Sequence, residues 1–149
     1  MQIDERDAIS LSSLVNQWIE TFNRHDVAGL VALYTDDAEL FDPGMKRPRH
    51  GRYEIETWFK LRFRTMPSIT YKSVGLLFTH KQVAVCWTSY GRTPRLLSQS
   101  WLSRPFQIDG VSVFTTQDGL IVKQRGFYDH LYIVERILPP LKWLLPARL

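Results

Sequence analysis

PFQIDGVSVFTTQDGLIVKQRGFYD, residues 105–129, reads as two strands folded back on each other. β-Branched and aromatic residues fill both halves, and Gln117-Asp118-Gly119 between them is a hairpin signal. Upstream, ITYKSVGLLF and QVAVCWTSYG form a second pair of strands joined at Thr79-His80-Lys81, with GRTPRLLSQSWLS as a longer connection between the two pairs. The first half of the chain has a different rhythm. Leu11, Leu14, Val15, Trp18, Ile19 and Phe22 recur with the one-sided period of a helix. Asp26 offers an N-cap to a second helix, with Val27, Leu30, Val31 and Tyr34 on its inner face. YTDDA then ends that helix and leads into a short strand from Ala38 to Asp42. A third helix follows HGRYE, buries Ile55, Trp58, Phe59 and Phe63, and stops before Met66-Pro67. Helices first and antiparallel strands afterwards, with no repeat or linker, predict one α+β domain over residues 1–149: a curved sheet with helices packed on one face.

The totals narrow the functional classes. A chain of 149 residues can bury about two-thirds of its unfolded surface as one domain. Aromatic residues make up 13%, with five tryptophans, which suggests a wide aromatic-lined interior. The formal charge of +4 is scattered apart from Lys46, Arg47, Arg49 and Arg52. That short cluster reads as a solvated loop, or as a contact for an anionic ligand or membrane surface. It is not the basic stripe with exposed aromatics that a nucleic-acid binder shows. Cys86 is the lone cysteine, in the apolar run VAVCW, and reads as a small core residue. MQIDERDAIS lacks an apolar stretch, so no signal peptide is expected, and the cytoplasm is the expected location. The end of the chain, residues 131–149, reads as a short helix broken by Pro139-Pro140 and followed by the apolar LKWLLPARL. That tail is either a flap over the domain's open end or an arm docking on a partner subunit of a homodimer. A membrane-surface contact through Lys142, Trp143 and Arg148 is a third reading.

Three stretches carry a resemblance: FNRHDVAGLVALYTDDAELFDPG, RHGRYEIETWF, and GVSVFTTQDGLIVKQRGFYDH. In this order they resemble the SnoaL-like branch of the nuclear transport factor 2-like superfamily, from about Leu11 to Leu131. The resemblance implies a cone: a strongly bent antiparallel sheet wrapped around three N-terminal helices and open to a deep apolar pocket. Relatives in that superfamily include polyketide cyclases, ketosteroid isomerase and limonene epoxide hydrolase, together with pocket and dimer modules of no known chemistry. Fold alone therefore does not set the function.

Asp42 is the first candidate acid. By strand alternation it shares a face with Ala38 and Leu40, so it would project into the cone, where burial favours a proton acceptor. Its stretch is similar to the one carrying the base of ketosteroid isomerase. The competing reading is an aspartate that only organises the Pro43-Gly44 turn. That isomerase also needs two strong donors, and the matching positions hold Trp18 and Ser112, so steroid isomerisation is not expected. Asp129 is the second candidate and falls on the acid used by SnoaL-like cyclases; it could equally cap the helix beginning near Leu131. The hydrolase pair is replaced by Trp87 and Ser89. Arg125, on the same strand face as Phe127 and Asp129, would hold Asp129 ionised, bind an anionic group, or form an outward salt bridge. Trp18, Phe22, Trp58, Phe63 and Trp87 would line the pocket for a small hydrophobic, even polycyclic, molecule, with Ser112, Arg125 and Phe127 completing it. His25, His50, His80 and His130 are too scattered for a metal site, and no cofactor is expected. Three functions remain open: a cofactor-free acid/base enzyme with an aspartate base, a carrier of a small hydrophobic ligand, and a dimeric interaction protein whose pocket is filled by its own aromatics.

Overall fold

The computed structural model describes residues 4–93 and 103–137. Helix α1 (Glu5–Asn23) begins where the Asp4 side chain accepts from the Arg6 amide, and it buries Leu11, Val15, Trp18 and Phe22, as the period requires. The NRHD turn that follows is a compact joint. Arg24 is the C-cap, and His25 takes a left-handed backbone with φ 55°. Asp26 caps α2 (Val27–Ala32) by accepting from the Gly29 amide at 2.9 Å. Asn23 exchanges two hydrogen bonds with the Tyr71 backbone, at 2.9 and 2.8 Å, which ties the end of α1 to the sheet.

The second helix is shorter than its pattern suggested. Tyr34 does not end it; Tyr34 opens strand β1 (Tyr34–Phe41) and is fully buried. Its hydroxyl accepts from the Trp18 indole at 2.9 Å and donates to Gln124, so a strand position is held by three elements at once. YTDDA is part of this strand, and Thr35-Asp36-Asp37 bulge out of it: Tyr34 pairs with Ile121, but Glu39 already pairs with Lys123. Arg52 stitches the bulge, donating to the Tyr34 carbonyl at 2.8 and 2.6 Å and pairing with Asp36 at 3.1 Å. Arg47 forms a two-pronged pair with Glu54 at 2.9 Å, and Arg49 lies over the Trp58 ring. Three of the four cationic residues of the basic cluster therefore have partners within their own chain.

The remaining elements are β2 (Arg49–His50), α3 (Gly51–Thr65), β3 (Thr70–Phe78), β4 (Gln82–Arg92), β5 (Pro105–Gln117), β6 (Leu120–Tyr128) and α4 (His130–Ile137). They form a six-stranded sheet in the order β2-β1-β6-β5-β4-β3, antiparallel except for the β1–β6 pair. The β5–β6 hairpin closes through Asp118 and Gly119, with φ of 51° and 78°. These are the left-handed values that a two-residue hairpin turn demands.

Helix α1 lies against β3 and β4, and α3 against β1 and α2. Between helices and sheet sits an aromatic cluster: Phe22 is 4.5 Å from Tyr71, 4.9 Å from Phe63 and 5.1 Å from Trp18, ring centre to ring centre. Each such buried ring stabilises the fold by roughly 1.5–3 kcal/mol. Cys86 is only half-buried, because strand alternation places Val83, Val85, Trp87 and Ser89 on the inner face and Cys86 on the other. The tail beyond Ile137, expected as a flap or subunit arm with Lys142, Trp143 and Arg148, and most of the β4–β5 connection lie outside the described residues.

Candidate functional site

A cavity of about 160 Å³ opens where the last turns of α3 meet the ends of four strands. Its walls are largely apolar: Trp58, Met66, Ile69, Trp87, Phe106, Ile108 and Ile133. Four polar side chains, Arg62, Tyr71, Tyr128 and His130, also face it, together with Ser89. Wider grooves lie elsewhere, such as one of about 740 Å³ along α1 beside Leu76 and Phe78, but its charged members Glu5 and Glu20 are exposed. A buried charge in an apolar wall carries a strong requirement for partners, so the smaller cavity is the candidate site.

Arg62 projects from α3 four residues after Trp58, so both lie on one helical face; its guanidinium is 5.7 Å from the Trp58 ring centre. Its side chain is only 10% exposed, and Asp42, 3.6 Å away, only 14%. That separation pairs the charges but is too long for a hydrogen bond. Arg62 also donates to the Tyr71 hydroxyl at 3.2 Å. Burial, the largest influence, works against the cation, yet the oxygens of Tyr71, Asp42 and Tyr128 outweigh it and hold Arg62 above its ordinary value.

Asp42 follows directly on the end of β1. Its Oδ1 accepts from the Gly44 amide at 2.9 Å, which makes the Pro43-Gly44 turn, and from the Tyr128 hydroxyl at 2.6 Å. Turn former and inward-facing acid are therefore one and the same. The expectation of a solitary acid in a greasy cone is corrected: Asp42 has a cation, a phenol and an amide around it, with Tyr128 on its cavity side. Burial pushes the Tyr128 hydroxyl well above the usual phenol range, and the neighbouring Asp42 adds to the effect. Burial likewise raises Tyr71, against a smaller opposing pull from Arg62. Both phenols are therefore neutral hydrogen-bond donors at neutral pH.

The residues expected from the sequence separate into four groups. Trp58 and Trp87 line the cavity. Trp18, Phe22 and Phe63 do not: they fill the aromatic core, and the Trp18 indole is committed to Tyr34. Ser112 is buried and accepts from the Trp87 indole at 3.0 Å, so it orients a cavity wall rather than a ligand. Arg125, Phe127 and Asp129 do share one face, as expected, but it is the outer one. Arg125 stacks between Phe41 and Phe127, 5.4 Å from each ring centre, and Phe127 is 47% exposed. Asp129 is exposed and accepts from the Tyr132 amide at 3.1 Å, so it caps α4. Over this second half of β6 the inward residues are Gln124, Gly126 and Tyr128. Arg62, Tyr71, Tyr128 and His130 were not anticipated; an arginine on the Trp58–Phe59 face of α3 was the available signal. Among the described residues, no group of three His, Cys, Asp or Glu could hold a metal ion, and no helix is long and apolar enough to cross a membrane.

The arrangement is a curved α+β sheet packed against helices, with a buried acid–arginine–tyrosine cluster beside a small cavity. The SnoaL-like domain family matches residues 15–124, and the chain belongs to that family. Solved structures show the same fold. A protein named for the SnoaL-like polyketide cyclases, from Jannaschia sp. CCS1, is 14% identical over 92% of this chain and 97% of its own, with a TM-score of 0.78. The epoxide hydrolase/cyclase-like enzyme SalBIII, of pyran ring formation in salinomycin, is 24% identical over 84% and 95%, with a TM-score of 0.72. A protein of ketosteroid isomerase-like fold from Catenulispora acidiphila, in complex with trimethylamine, is 14% identical over 83% and 90%, also with a TM-score of 0.72. No curated protein matches the chain.

Proposed function

We propose that this SnoaL-like domain is an enzyme that carries out cofactor-free acid/base chemistry on a small hydrophobic substrate, with Asp42 as the base. The observation that carries this reading is the Asp42–Arg62–Tyr71–Tyr128 cluster: Arg62, Tyr71 and Tyr128 line the largely apolar cavity, and Asp42 lies behind them, paired with Arg62 and accepting from Tyr128. The donors that ketosteroid isomerase has and this chain lacks, at Trp18 and Ser112, are supplied from other elements. Tyr71 accepts from Arg62 through its oxygen, which leaves its own O–H to donate to a substrate carbonyl. The cation behind it strengthens that donor as negative charge develops.

In the step this geometry favours, the C–H bond next to the carbonyl breaks and its electron pair passes to the carbonyl oxygen. Tyr128 takes the proton while passing its own hydroxyl proton to Asp42. The carboxylate becomes a carboxylic acid, the substrate becomes an enolate facing Tyr71 and Arg62, and the net charge of the cavity is unchanged. Re-delivery of the proton at another atom gives isomerisation; attack of the enolate on a second carbonyl gives ring closure.

The test needs no knowledge of the natural substrate. Small ketones such as cyclohexanone and acetophenone are incubated with the protein in D2O, and deuterium uptake at the α-carbon is followed by NMR. The wild type is expected to exceed buffer, and Asp42→Asn and Tyr128→Phe each to lose on the order of 100-fold or more. Uptake no faster than buffer, or undiminished in Asp42→Asn, refutes the proposal. A ligand carrier is the second reading, favoured by the two donors and the cation already gathered around Asp42 Oδ1. A hydrophobic ligand retained in native mass spectra, without any exchange activity, would select it.

A further inference from the structure

Folding gathers positive charge that the sequence keeps apart. Arg92, at the end of β4, is the cross-strand partner of Pro105 at the start of β5. Arg104 directly precedes Pro105, and Arg136, in the last turn of α4, donates to the Pro105 carbonyl at 3.4 Å. Three arginines from three segments thus surround one proline, and all three are exposed. Among the described residues none of them forms an ion pair, not even Arg136 with the adjacent Glu135, whereas Arg47, Arg52 and Arg62 each face a carboxylate. The chain around Arg104 offers no counter-charge either, since Thr93 to Ile108 contains no Asp or Glu. The contacts these side chains do make are neutral. Arg92 donates to the Ser103 carbonyl, and Arg136 donates to the Tyr132 hydroxyl and lies over its ring. Like charges held together without a counter-charge repel one another, so the cluster favours an anion.

The cluster stands on the rim of the candidate site. Phe106, next to Pro105, and Ile133, about one helical turn before Arg136, both line the cavity. At about 160 Å³ that cavity is close to the roughly 150 Å³ of an apolar cavity that holds benzene, so a molecule longer than one ring must emerge from it. We propose that the rim is an anion subsite: Arg104 and Arg136, with Arg92 beside them, bind a carboxylate or phosphate tail of the same molecule whose apolar ring fills the cavity. The carbonyl on that ring rests on the acid/base reading; the tail rests on the arginines. Inside the cavity an anion would add to the already balanced Asp42–Arg62 pair at a large desolvation cost, whereas at the exposed rim it keeps much of its water. The planar guanidinium fork matches carboxylate and phosphate oxygens alike. The ligand class is therefore amphiphilic: one apolar ring inside, a short spacer, and an anionic end outside.

Calorimetric binding of three probes that share an acetophenone ring tests this: 4-(4-acetylphenyl)butanoate, its primary amide, and 2-(4-acetylphenyl)ethyl phosphate. At low salt the anions should bind the wild type about three- to tenfold more tightly than the amide, and the advantage should shrink as added salt screens the charges. An advantage for one anion alone supports the subsite and names its group. The double variant Arg104→Gln/Arg136→Gln should bring the anions down to the amide. Its affinity for the amide should stay within about twofold of wild type, which guards against a general loss of fold. Lys81→Gln removes an exposed cation at the opposite end of β4 and should change nothing, which separates the cluster from net charge. An amide that binds as well as both anions, an advantage that survives in the double variant or falls equally in Lys81→Gln, or no binding by any probe overturns the proposal. Binding requires no turnover, and deuterium uptake at the methyl ketone of the amide reports the acid/base step by itself. An anion preference without exchange therefore removes the acid/base reading alone, and exchange without the preference removes the rim subsite alone.

Discussion

Replacing Arg62 by methionine tests the energetic centre of the site, because it removes the cation and keeps much of the aliphatic stem that packs near Trp58. The two charges are 3.6 Å apart with side chains 10% and 14% exposed. At an effective dielectric of about 20 their attraction is about 5 kcal/mol before any desolvation is counted. Much of that is offset by the cost of burying both groups, so the pair is worth less than this relative to an apolar replacement. Removing only one partner is a different matter, since it strands a buried charge. Arg62→Met should cost about 3–5 kcal/mol, and Asp42→Asn, which keeps one acceptor for Tyr128 and Gly44, somewhat less. The double variant strands nothing and should cost clearly less than the sum, with a coupling of about 1.5–3 kcal/mol. Urea unfolding followed by tryptophan fluorescence gives all four corners, provided that the dependence on urea stays constant across them. Single-variant costs that add to within about 0.5 kcal/mol would show that Asp42 and Arg62 do not act as a pair, and the charge balance assigned to the cavity would fall with them.

Tyr34→Phe removes a fully buried hydroxyl and leaves the Trp18 indole N–H and the Gln124 carbonyl oxygen without their shared partner. Unmet buried groups cost about 1–3 kcal/mol each, so a loss of about 2–5 kcal/mol is expected in urea unfolding, and a change below 1 kcal/mol would refute the network. Tyr34, Tyr71 and Tyr128, three of the chain's six tyrosines, are all raised above the ordinary phenol value of 10.0, chiefly by burial. A phenol raised in the folded state contributes stability that is whole below pH 10 and is lost as pH climbs towards its folded value, because the unfolded chain ionises first. In an alkaline titration their tyrosinate absorbance should therefore appear only together with unfolding seen by circular dichroism. Full ionisation of all six tyrosines in a still-folded protein would contradict the burial of this cluster.

Much of the fold was readable because its signals are local. The spacing from Leu11 to Phe22 marks a helix wherever it occurs, and Asp118-Gly119 supplies the left-handed pair of residues that a tight hairpin needs. Tyr34 was misread because it continues the helical spacing of Leu30 and Val31, while its place in a strand depends on Trp18 and Gln124, far away in the chain. The face of β6 was open to a better reading. Lys123 and Arg125 alternate with Gln124 and Gly126, and two charges two residues apart mark a solvent side, so Phe127 and Asp129 had to follow them outward.

The sequence by itself determined most element types, the α+β order and the family resemblance, and it left Asp42 open between a turn former and an inward acid. Tertiary structure decided which groups stand with that acid. Asp42, Arg62, Tyr71, Tyr128 and His130 come from the turn directly after β1, from α3, β3 and β6, and from α4. Hydrophobic period reports only whether a side chain faces inward. Which inward side chains come within a few ångströms of one another depends on sheet curvature, on the three-residue bulge in β1 and on the crossing of α3 over the sheet, and these are set by packing among segments distant in sequence.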